Sequence, residues 1–159
     1  MEYKKNIIIK NICKKINSYI NNNNINNDFF DTIKFKKQYI KKPCINKINN
    51  FISYILENGQ IEPECIILLM IYIDRILNNS DIKLQPNNWR NLIFCCFVIA
   101  SKIIDDDSFE NKDFLIGFPQ FDINNLEKKL LELLQYNIHI DADLYDTYFN
   151  IYINDYIND

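Results

Sequence analysis

The chain has 159 residues and a formal net charge of −3, and hydrophobic residues make up 48% of it. A chain of this length and composition can bury a sizeable core in one domain without disulfides or metal. It contains only two glycines, which leaves little material for hairpin turns or phosphate-cradling loops, and its acidic balance disfavours binding to a nucleic acid duplex.

The N-terminal segment alternates apolar and basic residues. Isoleucine recurs every fourth residue from Ile8 to Ile20, and this spacing predicts a helix over residues 3–20. The asparagine-rich run over residues 21–27 is typical of a solvated linker. We therefore interpret residues 1–42 as an N-terminal extension with a helix and a linker, and residues 43–159 as the main domain.

The main domain is predicted to be helical throughout. Apolar residues at helical spacing predict five helices, near residues 44–57, 63–79, 87–104, 109–116 and 122–137, and a further helix follows near the C-terminus. The third is apolar on every side, which favours a buried central helix with the others packed around it. Prolines stand where the first three helices begin, and Gly59 follows the first. Asp122 and Asp143 are the predicted N-caps of the last two helices.

Residues typical of catalysis are scarce in this chain. His139 is the only histidine, and the five cysteines form no CxxC pair, so a metal site or a Cys-His pair has little raw material. We expect no catalytic residue, no metal and no cofactor. Buried, reduced thiols such as the adjacent Cys95 and Cys96 are typical of a cytoplasmic or nuclear protein. The longest apolar run, residues 92–100, is shorter than the roughly 20 residues of a membrane span, so no membrane partner is expected.

Three strings in the main domain resemble the cyclin box. Residues 72–77, YIDRIL, are similar to the segment that ends its second helix. Ala100-Ser101-Lys102 is similar to the signature late in its third helix. Leu126-Glu127 followed by residues 131–138, LELLQYNI, is similar to the pattern of its fifth helix. The strings occur in the family's order and spacing, and the resemblance covers about residues 43–145.

This resemblance implies an all-α fold: a single cyclin box of five helices around a central third helix, with an N-terminal and a C-terminal helix added. Asp74, Arg75, Ala100 and Ser101 would belong to the structural signature of the box. The implied function is that of a non-catalytic subunit that binds and activates a cyclin-dependent kinase by positioning its αC helix.

The family resemblance also implies a set of kinase-binding residues. Lys102 and Glu127 match the lysine and the glutamate with which cyclins bond the kinase near αC. Residues 100–111 are similar to Y-type, P/U-type and phosphate-signalling cyclins, which partner PCTAIRE or phosphate-signalling kinases. In that branch an aspartate after the third helix reaches the kinase, which makes Asp105, Asp106 and Asp107 candidates. Because one extra aspartate is present, Asp106 or Asp107 fits best.

One departure from the cell-cycle cyclins concerns Asp74. Those cyclins carry an arginine in the first box helix that pairs with this aspartate, and residues 44–57 contain no arginine. The usual partner of Asp74 is therefore expected to be missing.

Two other functions remain open at this point. A cyclin-fold transcription factor would bind nucleic acid or promoter proteins, but it needs a basic face, which residues 43–159 lack. A scaffold could keep the fold and lose kinase activation, although the presence of Lys102 and Glu127 weighs against it.

Overall fold

The computed structural model describes residues 2–20, 41–105 and 110–154, and every regular element in these ranges is an α-helix. In chain order the helices are α1 (Glu2–Tyr19), α2 (Ile45–Asn58), α3 (Cys65–Asn79), α4 (Trp89–Ile104), α5 (Asn111–Gly117), α6 (Ile123–Leu133) and α7 (Ala142–Asn154). The all-α prediction is confirmed. The linker predicted over residues 21–27 lies outside the described ranges. None of the described helices combines the length and the hydropathy that a membrane crossing requires.

Helix α4 lies at the centre of the bundle, as its composition predicted. Every residue from Leu92 to Ser101 is buried, and α4 packs against α2, α3 and α6. A helix can bury its whole circumference only when other helices surround it, which is why its apolar residues face all directions. Lys102, in its last turn, lies where the helix reaches the surface.

Helix α1 packs against α2 and α7 and contributes to the same core. The isoleucines that recur every fourth residue, including Ile12 and Ile16, are buried as predicted. The amide of Asn11 donates a 2.8 Å hydrogen bond to the carbonyl of Tyr152, and so ties α1 to α7. The N-terminal helix therefore shares its packing with the helices after residue 43, and the boundary drawn there stays a prediction.

Helix α6 ends at Leu133, four residues before the predicted end at 137. Gln135 and Tyr136 then adopt left-handed backbone conformations, with φ of 51° and 57°, which no α-helix can contain. After this turn the carbonyls of Asn137 and His139 lie close to α3. They accept hydrogen bonds from the Arg75 guanidinium at 2.8 and 2.9 Å.

The predicted helix caps are only partly correct. Asp122 occupies the N-cap position of α6, but its carboxylate accepts a hydrogen bond from the Asn125 side chain rather than from the backbone. The predicted cap Asp143 lies inside the first turn of α7. Asp141 takes the capping role instead, because its Oδ1 accepts the Leu144 N–H at 2.8 Å.

Proline and glycine mark the ends of α2 as expected, with small shifts. Pro43 precedes the N-cap Cys44 rather than standing in the first turn. Gly59 follows the last residue of α2 with φ of −84°, so no left-handed conformation requires glycine there. The requirement for glycine is steric instead, because a Cβ on Gly59 would lie 2.7 Å from the Ile55 carbonyl oxygen. Any larger residue would push the end of α2 away from its own last turn.

The cysteines give a direct test of this packing. Cys44 is exposed, and Cys13, Cys65, Cys95 and Cys96 are buried and unpaired. Burial raises the pKa of Cys13 and of Cys65 to about 12 and that of Cys95 well above its ordinary value. Because the thiolate is the reactive form, we expect a thiol reagent at pH 8 to label Cys44 quickly and the buried four only after unfolding.

The measurement is the number of thiols labelled with dithiobis-nitrobenzoate, before and after addition of guanidinium. A Cys44→Ser variant is the control and should leave no fast-reacting thiol. Fast labelling of a second thiol in the folded protein would contradict the packing described around α4.

Candidate functional site

An ion pair joins the end of the central helix to α6. The Lys102 Nζ in the last turn of α4 lies 2.5 Å from the Glu127 Oε1 in the middle of α6. Packing of α4 against α6 brings the two residues together although 25 positions separate them in sequence. The structure thus unites the two charges that the resemblance had singled out.

Two asparagines extend this pair into a network of four side chains. Asn111, the first residue of α5, accepts a hydrogen bond from the Lys102 Nζ at 2.6 Å and donates to the Glu127 Oε2 at 2.6 Å. Its amide also donates to the Asn124 Oδ1 at 2.8 Å. The network therefore fixes α4, α5 and α6 relative to one another. We call Lys102, Asn111, Asn124 and Glu127 the polar network.

Helix α5 is positioned for this contact by a capping box at its start. The Glu110 side chain accepts the Asp113 N–H, and the Asp113 carboxylate accepts the Glu110 N–H at 2.9 Å. This reciprocal cap fixes the first turn of a short helix. Asn111 lies within that turn, so its side chain is held in place before any partner binds.

The polar network is partly exposed, and an exposed apolar residue adjoins it. The side chains of Lys102 and Glu127 are 28% and 17% exposed. Ile103 follows Lys102 and is 40% exposed, and Ile116 on α5 is 84% exposed. An exposed isoleucine next to a held charge pair is typical of a surface that contacts another protein.

Of the three candidate aspartates, only Asp105 lies within the described residues. It is the C-cap of α4, is exposed, and donates its backbone N–H to the Ser101 carbonyl at 3.0 Å. Asp106 and Asp107 lie outside the described ranges. The expectation that this run follows the end of the third box helix agrees with α4 ending at Ile104.

Asp74 has two partners, although the arginine that cell-cycle cyclins place in the first box helix is absent. The Tyr19 hydroxyl of α1 and the Tyr148 hydroxyl of α7 donate to its two carboxylate oxygens, each at 2.8 Å. The usual arginine partner is thus absent from α2, as expected, and other donors occupy the carboxylate. Two tyrosines from the first and the last helix satisfy the carboxylate of α3, and they reach it from 55 and 74 positions away in sequence.

Comparison with known families agrees with these features. The family model of the cyclin N-terminal domain matches residues 12–139, which is well over half of the chain. The chain belongs to the cyclin family. No solved structure matches it. The single cyclin box predicted from the sequence is thus confirmed, with α4 as its central helix, and the match begins inside α1.

In this cyclin the signature residues of the box pack in the core or hold a neighbouring segment of the chain in place. Ala100 is buried, and the Ser101 hydroxyl donates to the Val98 carbonyl at 2.9 Å, so neither exposes a polar group. Arg75 holds the segment after α6, and the Tyr72 hydroxyl donates to the Ile138 carbonyl of that segment at 2.9 Å. These contacts stabilise the cyclin box itself.

Sequence reasoning did not select several residues of the site. Asn111 lay in the string that resembled one cyclin branch, but its role depends on α4 and α6 meeting at its side chain. No motif in the sequence distinguishes Asn124, Tyr19 or Tyr148 as a site residue, because asparagine and tyrosine are frequent in this chain. Only the packed structure distinguishes them from other surface residues.

We expect Asn111→Ala to loosen the polar network and lower the stability of this cyclin. The substitution removes hydrogen bonds to the Lys102 ammonium and the Glu127 carboxylate. Hydrogen bonds to charged groups contribute about 1.5–3 kcal/mol when buried, and partial exposure of this site reduces the loss to about 1 kcal/mol. Urea unfolding followed by circular dichroism measures it.

Asn91→Ala would not serve as a control, because Asn91 is only partly exposed and has its own interactions. Asn50 of α2 is exposed, and Asn50→Ala is the matched control, with an expected change within about 0.5 kcal/mol. Equal stability of the two variants would show that Asn111 does not hold the network.

Proposed function

We propose that this cyclin is a regulatory subunit that binds a cyclin-dependent kinase and stabilises its active conformation. The observation that carries the proposal is the polar network: the lysine and the glutamate at the family's kinase-binding positions are paired, held by Asn111, and partly exposed beside Ile103.

The chemistry of the pair leaves it able to bind a partner. A lysine ammonium has three donors, and Lys102 uses two of them, for Glu127 and Asn111. The third is available to a carbonyl of the kinase. Because the internal bonds already fix the Lys102 side chain, binding costs little further side-chain entropy.

Activation follows if the cyclin binds the active kinase more tightly than the inactive one. In an active kinase the glutamate of αC meets the lysine of strand β3, which completes the phosphoryl-transfer site. A cyclin pressed against αC favours that arrangement by the difference between its two binding free energies. In this proposal the cyclin performs no chemistry, and the partner is a PCTAIRE-like or phosphate-signalling-like kinase in the cytoplasm or the nucleus.

The test is purification of the tagged full chain from its own cells, followed by reconstitution with each co-purifying kinase. We expect a cyclin-dependent kinase to be enriched and its activity on a peptide substrate to rise at least tenfold when the purified cyclin is added. Enrichment without activation would favour the scaffold alternative, and failure to enrich any kinase would contradict the proposal. Enrichment of promoter complexes instead would favour a transcription-factor type.

A further prediction concerns Asp106 and Asp107. We expect the partner kinase to be active without phosphate on its activation loop, because a carboxylate of this run would take the place of that phosphate in binding an arginine cluster. A carboxylate accepts a bidentate guanidinium bond, although it carries less charge than a phosphate. Asp106→Asn/Asp107→Asn should then lower the activity of the unphosphorylated complex about tenfold or more.

The measurement is kinase activity of the reconstituted complex with an unphosphorylatable activation loop. Asp143→Asn/Asp146→Asn, at two exposed positions of α7, is the matched control. Equal activity with and without the aspartates, or no activity in either complex, would reject this role and leave the cyclin assignment standing.

A further inference from the structure

A groove on this cyclin lies between the start of α1, the start of α3 and α7. It encloses about 390 Å³, and its lining residues include the apolar side chains of Ile8, Ile66 and Phe149. A volume of this size lies in the range of about 300–1,000 Å³ that ligand pockets occupy. No residue that lines it belongs to α4, α5 or α6, so the groove is separate from the polar network.

The rim of the groove is charged. Lys4 and Lys5 of α1 stand on it and are exposed, and within the described residues neither forms an ion pair. Helix α1 carries five lysines and one acidic residue, although the whole chain has a net charge of −3. Positive charge is thus concentrated on the helix that borders the apolar groove. Glu64, the N-cap of α3, contributes the one acidic side chain among the lining residues.

We propose that this groove binds an acidic amphipathic peptide segment of another protein. Two bulky apolar side chains of the segment enter the groove, and carboxylates beside them contact Lys4 and Lys5. Burial of apolar side chains supplies the affinity, and the lysines select an acidic sequence over a basic one. Amphipathic segments bind grooves in this way, with anchors spaced by one helical turn.

The distribution of charge favours a peptide over a single-headed amphiphile such as a fatty acid. A fatty acid carries one carboxylate, which satisfies the lysines and leaves Glu64 facing its tail. A peptide can place carboxylates near Lys4 and Lys5 and a neutral or basic residue near Glu64, because its charges are distributed along a chain. Glu64 therefore also sets the direction in which the segment lies.

This binding does not rest on the proposed kinase partner. The groove shares no residue with the polar network, and the cyclin alone should bind the segment. A peptide that binds here could bring a third protein to a cyclin that already holds its kinase. Failure of one proposal leaves the other unaffected.

The experiment measures fluorescence anisotropy of labelled peptides titrated with the full chain. The probe is a helix-forming peptide with leucines one turn apart and glutamates beside them. Its two comparison peptides replace the glutamates by lysines or the leucines by serines. We expect the acidic amphipathic peptide to bind, and each comparison peptide to bind at least about tenfold more weakly.

The Lys4→Glu/Lys5→Glu variant should weaken binding of the acidic peptide about tenfold and strengthen binding of the basic one. Lys41→Glu/Lys42→Glu is the matched control, since both of its lysines are exposed and outside the groove. It should bind the acidic peptide as the natural chain does. Circular dichroism checks that both variants fold.

Three results would overturn the proposal. The first is equal binding of the acidic and the basic peptide, and the second is equal weakening by the two lysine variants. The third is occupation of the groove by something else: dimerisation in light scattering that Lys4→Glu/Lys5→Glu abolishes, or displacement of a bound fatty acid with no peptide binding at all.

Discussion

The Lys102→Glu/Glu127→Lys double variant is expected to lose kinase binding and to keep its fold. The two side chains form an ion pair within the cyclin, so exchanging them keeps opposite charges in contact between α4 and α6. The partner, in contrast, meets a carboxylate where it needs an ammonium. Disrupting one buried interfacial charge contact costs about 2–5 kcal/mol, which weakens binding by roughly 30-fold to several-thousand-fold.

The single variants separate the two roles of the pair. Lys102→Glu alone places two carboxylates together, so it should lower the stability of the cyclin by about 1 kcal/mol in addition to losing the kinase. The double variant should recover most of that stability and none of the kinase binding. The measurements are urea unfolding of the cyclin and co-purification of the kinase, made on the same preparations.

A matched control exchanges charges elsewhere at the same net charge. Lys47→Glu/Glu57→Lys changes two exposed residues of α2, and it should retain both the fold and the kinase. If the Lys102→Glu/Glu127→Lys variant retained the kinase as the control does, the assignment of the pair to the kinase interface would be wrong.

Asp74→Ala is expected to give the largest loss of stability among the polar substitutions considered. The Tyr19 and Tyr148 hydroxyls both donate to its carboxylate, and removal of the carboxylate leaves two half-buried donors without an acceptor. Losing such bonds costs about 1–3 kcal/mol each when the group is buried. With partial access of water to the site, we expect a loss of about 2–3 kcal/mol.

The tyrosines themselves provide the second half of a double-mutant cycle. Tyr19→Phe/Tyr148→Phe removes the donors and keeps the rings that pack between α1, α3 and α7. It should cost less than Asp74→Ala, and the combined triple variant should cost less than the sum of the two. Asp81→Ala, at an exposed position after α3, is the control, with a change within about 0.5 kcal/mol. A strictly additive cycle would contradict the coupling.

This cluster also predicts a dependence of stability on alkaline pH. Burial, and then the hydrogen bond and negative charge of Asp74, raise the pKa of Tyr19 and of Tyr148 above the ordinary value of 10.0. A group whose pKa is raised on folding contributes stability that is fully present below its unfolded pKa and is lost as pH rises through its folded pKa. Stability should therefore fall above about pH 10. The fall should be shallower in Tyr19→Phe/Tyr148→Phe, as thermal unfolding at several pH values can measure.

The helices and the core were predictable because their signals are local. An isoleucine at every fourth position marks one face of α1, and a run that is apolar on every side marks α4 as the centre, whatever the rest of the chain does. Lys102 and Glu127 were found by resemblance to the cyclin box. Composition alone would have left them among ordinary surface charges.

Contacts between distant segments were decided only by the tertiary structure. The end of α6 depends on Arg75, which reaches the carbonyls of Asn137 and His139 from 62 and 64 positions away. Asp74 accepts hydrogen bonds from two tyrosines that no sequence motif connects with it. Asn111 lies at the centre of the polar network because three helices meet at its side chain. A hydrogen bond between residues so far apart depends on how the helices pack, and periodicity within one helix carries no information about that packing.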